Sequence, residues 1–216
     1  MPKKIPLLDS AHGYDLAAPY YDAKEKFLDS FEKGKILPTL GDLTGQRVLD
    51  VGAGTGRLSL QLLKLGATVT ALDISAQMLS KISKKNNKIQ TILADAESLP
   101  FPNNHFDLVT AAFLIVHLKD PAVFFTEVHR VLKDKGQFLV TNINQRKPPE
   151  VKTKYGPILI ESYYHRPEQI RGILEALAFT VEKEIIVRTR EEQSPASARV
   201  GAPGAGWINQ ILLASK

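Results

Sequence analysis

The sequence predicts an α/β fold: a mostly parallel seven-stranded sheet with helices on both faces and an antiparallel hairpin at the carboxyl end. Three observations carry this expectation. From residue 46 onward, short β-rich runs alternate with helical patterns. The first run, RVLDV, passes directly into Gly52, Gly54 and Gly56, and the first strand-to-helix turn of an open α/β sheet is the usual place of ligand contact. The last two runs, TVEKEIIVRTR and WINQILLAS, are separated only by a small-residue stretch, as an antiparallel pair would be.

Residues 1–45 read as helical, carry Tyr14, Tyr20 and Tyr21, and are expected to form an amino-terminal cap. After the first strand, Leu58, Leu62 and Leu65 keep one helical face apolar until Gly66 stops it. ATVTALD at 67–73 is the second strand, and Ser75 can cap a helix that turns Met78, Leu79 and Ile82 inward. IQTILAD at 89–95 and FDLVTAAF at 106–113 are the third and fourth strands. Asp120 and Pro121 make a cap and first-turn pair for a helix through Phe124, Phe125, Val128, Val131 and Leu132, closed near Gly136. GQFLVTNI at 136–143 is the fifth strand. Residues 144–166, with Pro148, Pro149, Gly156 and Pro157, stand outside the alternation and are expected to lie as a lid over the carboxyl ends of the strands. PEQIRGILEALA is the last helix, and SPASARVGAPGAG at 194–206 is the loop of the final hairpin.

At 216 residues, one domain spanning 1–216 is expected. No apolar run reaches the roughly 18 residues of a membrane span, and MPKKIPLLDS is not followed by the apolar core of a signal peptide. The absence of cysteine removes disulfides, thiolate metal sites and a cysteine nucleophile, and a cytoplasmic setting is expected. No metal ligands suggest themselves. Net charge is +5, but the lysines are thinly spread except at Lys81, Lys84, Lys85 and Lys88 and between Arg146 and Lys154, which favours a solvated surface over a nucleic-acid face.

The glycine loop narrows the ligand. A dinucleotide fingerprint counted from Gly52 needs glycine at position 57, which is Arg57. Asp50 places a carboxylate at the mouth of the loop, where a pyrophosphate is repelled and an ammonium group attracted. Asp73, ending the second strand, offers two acceptor oxygens to the hydroxyls of a ribose. Asp95 and the backbone of Ala96, after the third strand, can pair with an exocyclic amine and a ring nitrogen, and Ile74 offers an apolar face to a base. The three carboxylates thus match an amino-acid head, a ribose and an adenine.

At this point the chain resembles the class I S-adenosylmethionine-dependent methyltransferases, and more narrowly the small-molecule branch that includes the ubiquinone and menaquinone methyltransferases. The resemblance runs from about Tyr14 to Gln137, through YDLAAPYYD, VLDVGAGTGR, TALDIS, LADAESLPF, FDLVTAAFLIVHLKDP and RVLKDKGQFLV in order. It implies a Rossmann-like methyltransferase fold and S-adenosylmethionine as cofactor. Asp50, Gly52, Gly54 and Gly56 would surround its methionine part, Asp73 its ribose, and Ile74, Asp95 and Ala96 its adenine. Ala112 would face the methionine end or the acceptor, and Tyr20 or Tyr21 would close over the pocket.

The sulfonium already activates the methyl group, so the protein mainly has to align an oxygen, carbon or nitrogen acceptor. Where the acceptor must lose a proton, His117 is the best-placed base; the family often shows two adjacent histidines there, and this chain has Val116 before His117. Its other reading is packing beside the Asp120 helix. Tyr163, Tyr164 and His165 either line an acceptor pocket or anchor the lid. His105 reads as a surface loop and His129 as mid-helix. The fourth strand reads TAAF, not the Asn/Asp-Pro-Pro-Tyr/Phe signature of enzymes that methylate exocyclic amines of bases. A small-molecule acceptor is expected. The competing readings are an RNA- or protein-directed methyltransferase and a cofactor-binding regulatory module without catalysis; a nicotinamide dehydrogenase is disfavoured by Arg57.

Overall fold

The computed structural model describes residues 5–32, 34–188 and 207–216. Its main sheet is built from β2 (Arg47–Val51), β3 (Thr68–Asp73), β4 (Gln90–Leu93), β5 (Phe106–Ala111), β6 (Leu132–Ile143), β9 (Thr180–Arg188) and β10 (Trp207–Ser215). These seven strands lie in the order β4-β3-β2-β5-β6-β10-β9. Pairings from β4 through to β6 are parallel, and β10 runs antiparallel to both β6 and β9.

Strands covered on both faces are apolar nearly throughout, and β2 shows how one run serves two cores. Val48 belongs to the cluster with Leu58 and Leu62 of α4 (Arg57–Lys64) and Leu79 and Ile82 of α5 (Ala76–Lys85). Leu49 and Val51 belong to the opposite cluster, with Phe124, Phe125 and Val128 of α6 (Pro121–Val131) and Ile170 and Leu174 of α7 (Pro167–Ala176). Asp50 shares the parity of Val48 and so points toward α4. In the second core, Phe125 and Phe138 meet edge to face with centroids 5.2 Å apart.

The amino-terminal segment forms α1 (Ser10–Tyr21), a single 3₁₀ turn, α2 (Glu25–Glu32) and α3 (Ile36–Leu40). Asp9 caps α1 by accepting from the His12 N–H. Asp15 of α1 accepts from the Ser75 hydroxyl at 2.6 Å and from the Gln77 N–H at 3.2 Å, which ties α1 to the start of α5.

Residues 144–166 are more regular than a lid of irregular coil. They contain a hairpin of β7 (Glu150–Thr153) and β8 (Gly156–Ile160), and β1 (Leu7–Leu8) adds to β8 in parallel. This second, three-stranded sheet packs under α1, where a Cβ on Gly13 would lie 2.9 Å from Ile160; only glycine allows that approach. A two-residue strand and a hairpin containing Pro157 leave too short an alternation to be read in the sequence.

Other boundaries differ from expectation for local reasons. The third strand stops at Leu93 rather than residue 95, because Asp95 folds into a turn in which its carboxylate accepts from the Glu97 N–H. The fourth stops at Ala111 rather than 113, where Phe113 takes φ 60°. Leu132 was expected to end the helix, but it pairs with Phe106 as the first residue of β6; a helix end and a strand start both bury it, so hydrophobicity could not separate them. The loop at 194–206 lies outside the described residues. Among those described, no helix is long and apolar enough to cross a membrane.

Candidate active site

After β2 the chain moves outward to β3 and β4, then returns to place β5 on the other side of β2. The loops leaving β2 and β5 therefore part in opposite directions, which opens a crevice at the carboxyl ends of the strands. A cavity of about 230 Å³ occupies it.

Asp50 forms its floor. The side chain is 1% exposed and accepts from the Ser59 hydroxyl at 2.5 Å and the Thr110 hydroxyl at 2.8 Å. Thr110 is its register partner on β5, so this bond joins the two strands at the point where they diverge. Burial raises the carboxyl from 3.8 to about 6, against the two hydroxyl bonds that favour the ionised form. The carboxylate was expected at the mouth of the loop; it lies beneath it, because β2 directs it toward α4.

Above Asp50, Gly52 and Gly54 turn with φ 69° and 55° and line the cavity. Side chains rarely adopt this left-handed region. Gly56 is not among the lining residues; a Cβ there would come 2.9 Å from Ile82, so it serves the contact of α4 with α5. Asp73, 7% exposed, accepts the Gly54 N–H at 2.7 Å and the Ser75 N–H at 2.9 Å. Burial raises its carboxyl and these N–H bonds oppose the rise. Each oxygen can accept a further hydrogen bond, and the residue lines the cavity. Ile74 (41% exposed), Asp95 and Ala96 line the adjoining wall, and Ala112 lines the side nearest β5.

The cap closes the cavity from above. Tyr21 stands with its ring 3.8 Å from where a Gly54 Cβ would be, and burial together with the Asp73 charge raises its hydroxyl to about 12. Tyr20 points elsewhere: Lys152 sits 5.3 Å from its ring centroid, on the β7 hairpin. Of the two tyrosines left open by the sequence, Tyr21 reaches the site.

The histidine and tyrosine readings separate similarly. His117 lines the cavity, and burial lowers its pKa from 6.5. His165 does not line it; its Nε2–H is shared between the carbonyls of Ile115 (3.1 Å) and Leu118 (2.9 Å), bracing the turn that carries His117. The Tyr163 N–H donates to the Val116 carbonyl at 2.7 Å, and the Tyr164 ring lies 4.5 Å from the Arg146 guanidinium. These contacts tie all three to the insertion and its neighbouring turn, and none of them lines this cavity.

Several lining residues were given no role in the site by the sequence. Tyr14 donates to His117, Phe113 packs against Phe31, and Arg57 joins α4 to α2 through Glu32 and Asp29. Their partners lie 25 and 28 residues away in the chain for Glu32 and Asp29 and 103 away for His117, so spacing could not reveal them. Phe113, at φ 60° beside the ligand space, is the kind of backbone outlier that collects at functional sites. A second, mainly apolar cavity of about 570 Å³ adjoins the first between the cap and residues 143–151. Tyr14, Tyr21, Leu28, Phe113 and His117 line both. Among the described residues, no group of acidic, histidine or cysteine side chains is arranged to hold a metal.

Comparison with known proteins bears on what such a crevice holds. A family model described as a methyltransferase domain matches residues 49–140, the span from β2 into β6. The demethylmenaquinone methyltransferase of Renibacterium salmoninarum is 33% identical over 153 residues, covering 69% of this chain and 65% of that protein. The ubiquinone/menaquinone biosynthesis C-methyltransferase UbiE of Paraburkholderia phymatum is 32% identical over 163 residues, covering 69% and 67%. The matches thus span about two thirds of these relatives' length. The crystal structure of an S-adenosylmethionine-dependent methyltransferase from Mesorhizobium loti shares the fold, with a TM-score of 0.68 at 19% identity over 88% of this chain and all of that one. The chain belongs to the class I S-adenosylmethionine-dependent methyltransferases and resembles their ubiquinone/menaquinone branch.

Proposed function

We propose that the protein transfers the methyl group of S-adenosylmethionine to a small-molecule acceptor by in-line displacement at the methyl carbon. One observation carries the reading: the ends of β2, β3 and β4, with Asp50, Asp73 and Asp95, converge on one cavity together with the turn after β5. In this reading the methionine portion lies along Gly52 and Gly54, where the buried Asp50 charge favours its cationic groups and repels a pyrophosphate. Asp73 receives the ribose hydroxyls, Ile74 and Ala96 flank the adenine, Asp95 accepts its amine, and Tyr21 covers the sulfonium.

The cofactor supplies an activated methyl group, and the chain's own work is alignment, for which favourable systems gain about 7 to 11 kcal/mol. The second cavity is the acceptor's place. It shares Phe113 and His117 with the first, and a space there supports transfer over a module that only binds the cofactor. A cytoplasmic setting accompanies this reading, on the cysteine-free sequence. Incubation of the protein with a metabolite extract and methyl-labelled S-adenosylmethionine tests it. A small molecule that gains the label is expected, and cofactor binding with no labelled product would favour the regulatory module.

A further inference from the structure

Tyr14 and His117 stand on the wall shared by the two cavities. The Nδ1 of His117 lies 2.9 Å from the carbonyl oxygen of Glu161. A carbonyl only accepts, so Nδ1 carries the hydrogen and Nε2 presents the lone pair. Nε2 is 2.7 Å from the Tyr14 oxygen, and the Tyr14 hydroxyl therefore donates to it. With the two rings edge to face at 5.2 Å, both imidazole nitrogens are engaged, and a bound molecule does not reach Nε2 unless Tyr14 moves. The Tyr14 oxygen has given its one hydrogen and can still accept one.

Phe31, Phe113, Val116 and Ile143 give the second cavity an apolar lining, and Gln145 lines the same cavity with its amide nitrogen buried and without a hydrogen-bond partner. A ligand oxygen would satisfy that donor. The charged and titratable groups around the pair are few. Tyr21, also on α1, lies 5.7 Å from the Tyr14 ring; Asp73 acts on Tyr14 from the end of β3; Lys147 and Glu150 line the second cavity.

We propose that the second cavity takes an apolar acceptor bearing a weakly acidic hydroxyl, and that Tyr14 and His117 form a two-step proton relay for it. The proposal rests on the methyl-transfer reading above. As the acceptor oxygen bonds to the methyl carbon, the carbon–sulfur bond breaks and its electron pair stays on sulfur. The acceptor's proton passes to the Tyr14 oxygen while the Tyr14 proton passes to Nε2. The products are a methyl ether, a neutral thioether and an imidazolium, so the positive charge that entered on sulfur leaves on His117. Burial holds the Tyr14 hydroxyl well above its usual range, and the relay never requires a free phenolate.

The test uses 2-naphthol as the hydroxyl probe with the full-length protein and its Tyr14→Phe, His117→Gln and double variants. Heat of S-adenosylmethionine binding is measured first and establishes that each variant is folded. Formation of the methyl ether is then followed across pH. Each single variant is expected to lower kcat about 100-fold with KM changed less than about threefold, and the double variant to fall no further than the singles, as for residues acting as one unit. The wild-type rate should rise through an imidazole titration below 6.5, the ordinary histidine value, and that limb should vanish in His117→Gln. Single variants at the wild-type rate, multiplicative losses in the double, or a wild type that binds the cofactor and forms no ether would each overturn the relay. A wild type that binds no cofactor would overturn the methyl-transfer reading instead.

Discussion

Asp50 lies under the glycine loop at 1% exposure, and burial lifts its carboxyl from 3.8 to about 6. Between those values the folded chain holds a proton that the unfolded chain has released. Stability therefore falls as pH climbs from about 4 to about 6 and stays lower above it, by an amount on the order of 3 kcal/mol. Asp50→Asn removes the ionisation, so it should raise the melting temperature near about pH 7.5 and leave it little changed near about pH 4.5, while weakening the cofactor. Because a cationic ligand favours the carboxylate, S-adenosylmethionine affinity should increase from about pH 5 to about pH 7, with protons released on binding below about pH 6. Calorimetry in buffers of different ionisation heat reads both, and a pH-independent affinity would detach Asp50 from the cofactor. At Asp73 the carboxylate orients the Gly54 N–H as well as facing the cavity. Asp73→Asn is expected to weaken the cofactor at least about tenfold, the scale of one charged hydrogen bond; unchanged binding would place the ribose elsewhere. The placement of Asp50, Asp73, Gly52 and Gly54 around one cavity was legible in the sequence because it follows from position at a strand end, whereas Gly56, expected beside them, serves the contact of α4 with α5. Tyr14 and Phe113 were not legible, since each owes its place to a partner brought in by the fold.

Among the elements, α2 is held to α4 by Arg57, whose guanidinium grips Glu32 at 2.8 and 2.6 Å and Asp29 at 2.9 Å. Glu32 is only 5% exposed. Burial raises its carboxyl and Arg57 draws it back. Arg57→Met would leave that acid buried and unpaired, a loss of about 3 to 5 kcal/mol when a buried pair is broken on one side. Hydrogen exchange should then speed up across α1 and α2 while β2, β3 and β5 stay protected; uniform acceleration would show that the cap does not open separately. The strands of the main sheet were readable because burial on both faces writes them as continuous apolar runs. The sheet of β1, β7 and β8 was not, because it is short and takes its first strand from 142 or more residues earlier in the chain, Leu7 pairing with Leu159 and Leu8 with Ile160.

For the molecule as a whole, strand order creates the site: the order in which strands are added reverses between β2 and β5, the first cavity lies at that reversal, and the second adjoins it under the cap. The cap and the three-stranded sheet close it from one side, joined through Asp15 to α5 and through Arg57 to α4. A ligand that bridges strand ends and cap must stabilise all of them together. At about one hundred times its dissociation constant, S-adenosylmethionine contributes about 2.7 kcal/mol and should raise the melting temperature by about 5 to 10 °C. The direct test of the central claim is isothermal titration of the protein with S-adenosylmethionine, its demethylated product and NAD in parallel. Binding of the first two without measurable heat from NAD is predicted. Clear affinity for NAD with none for the sulfur nucleosides would contradict it.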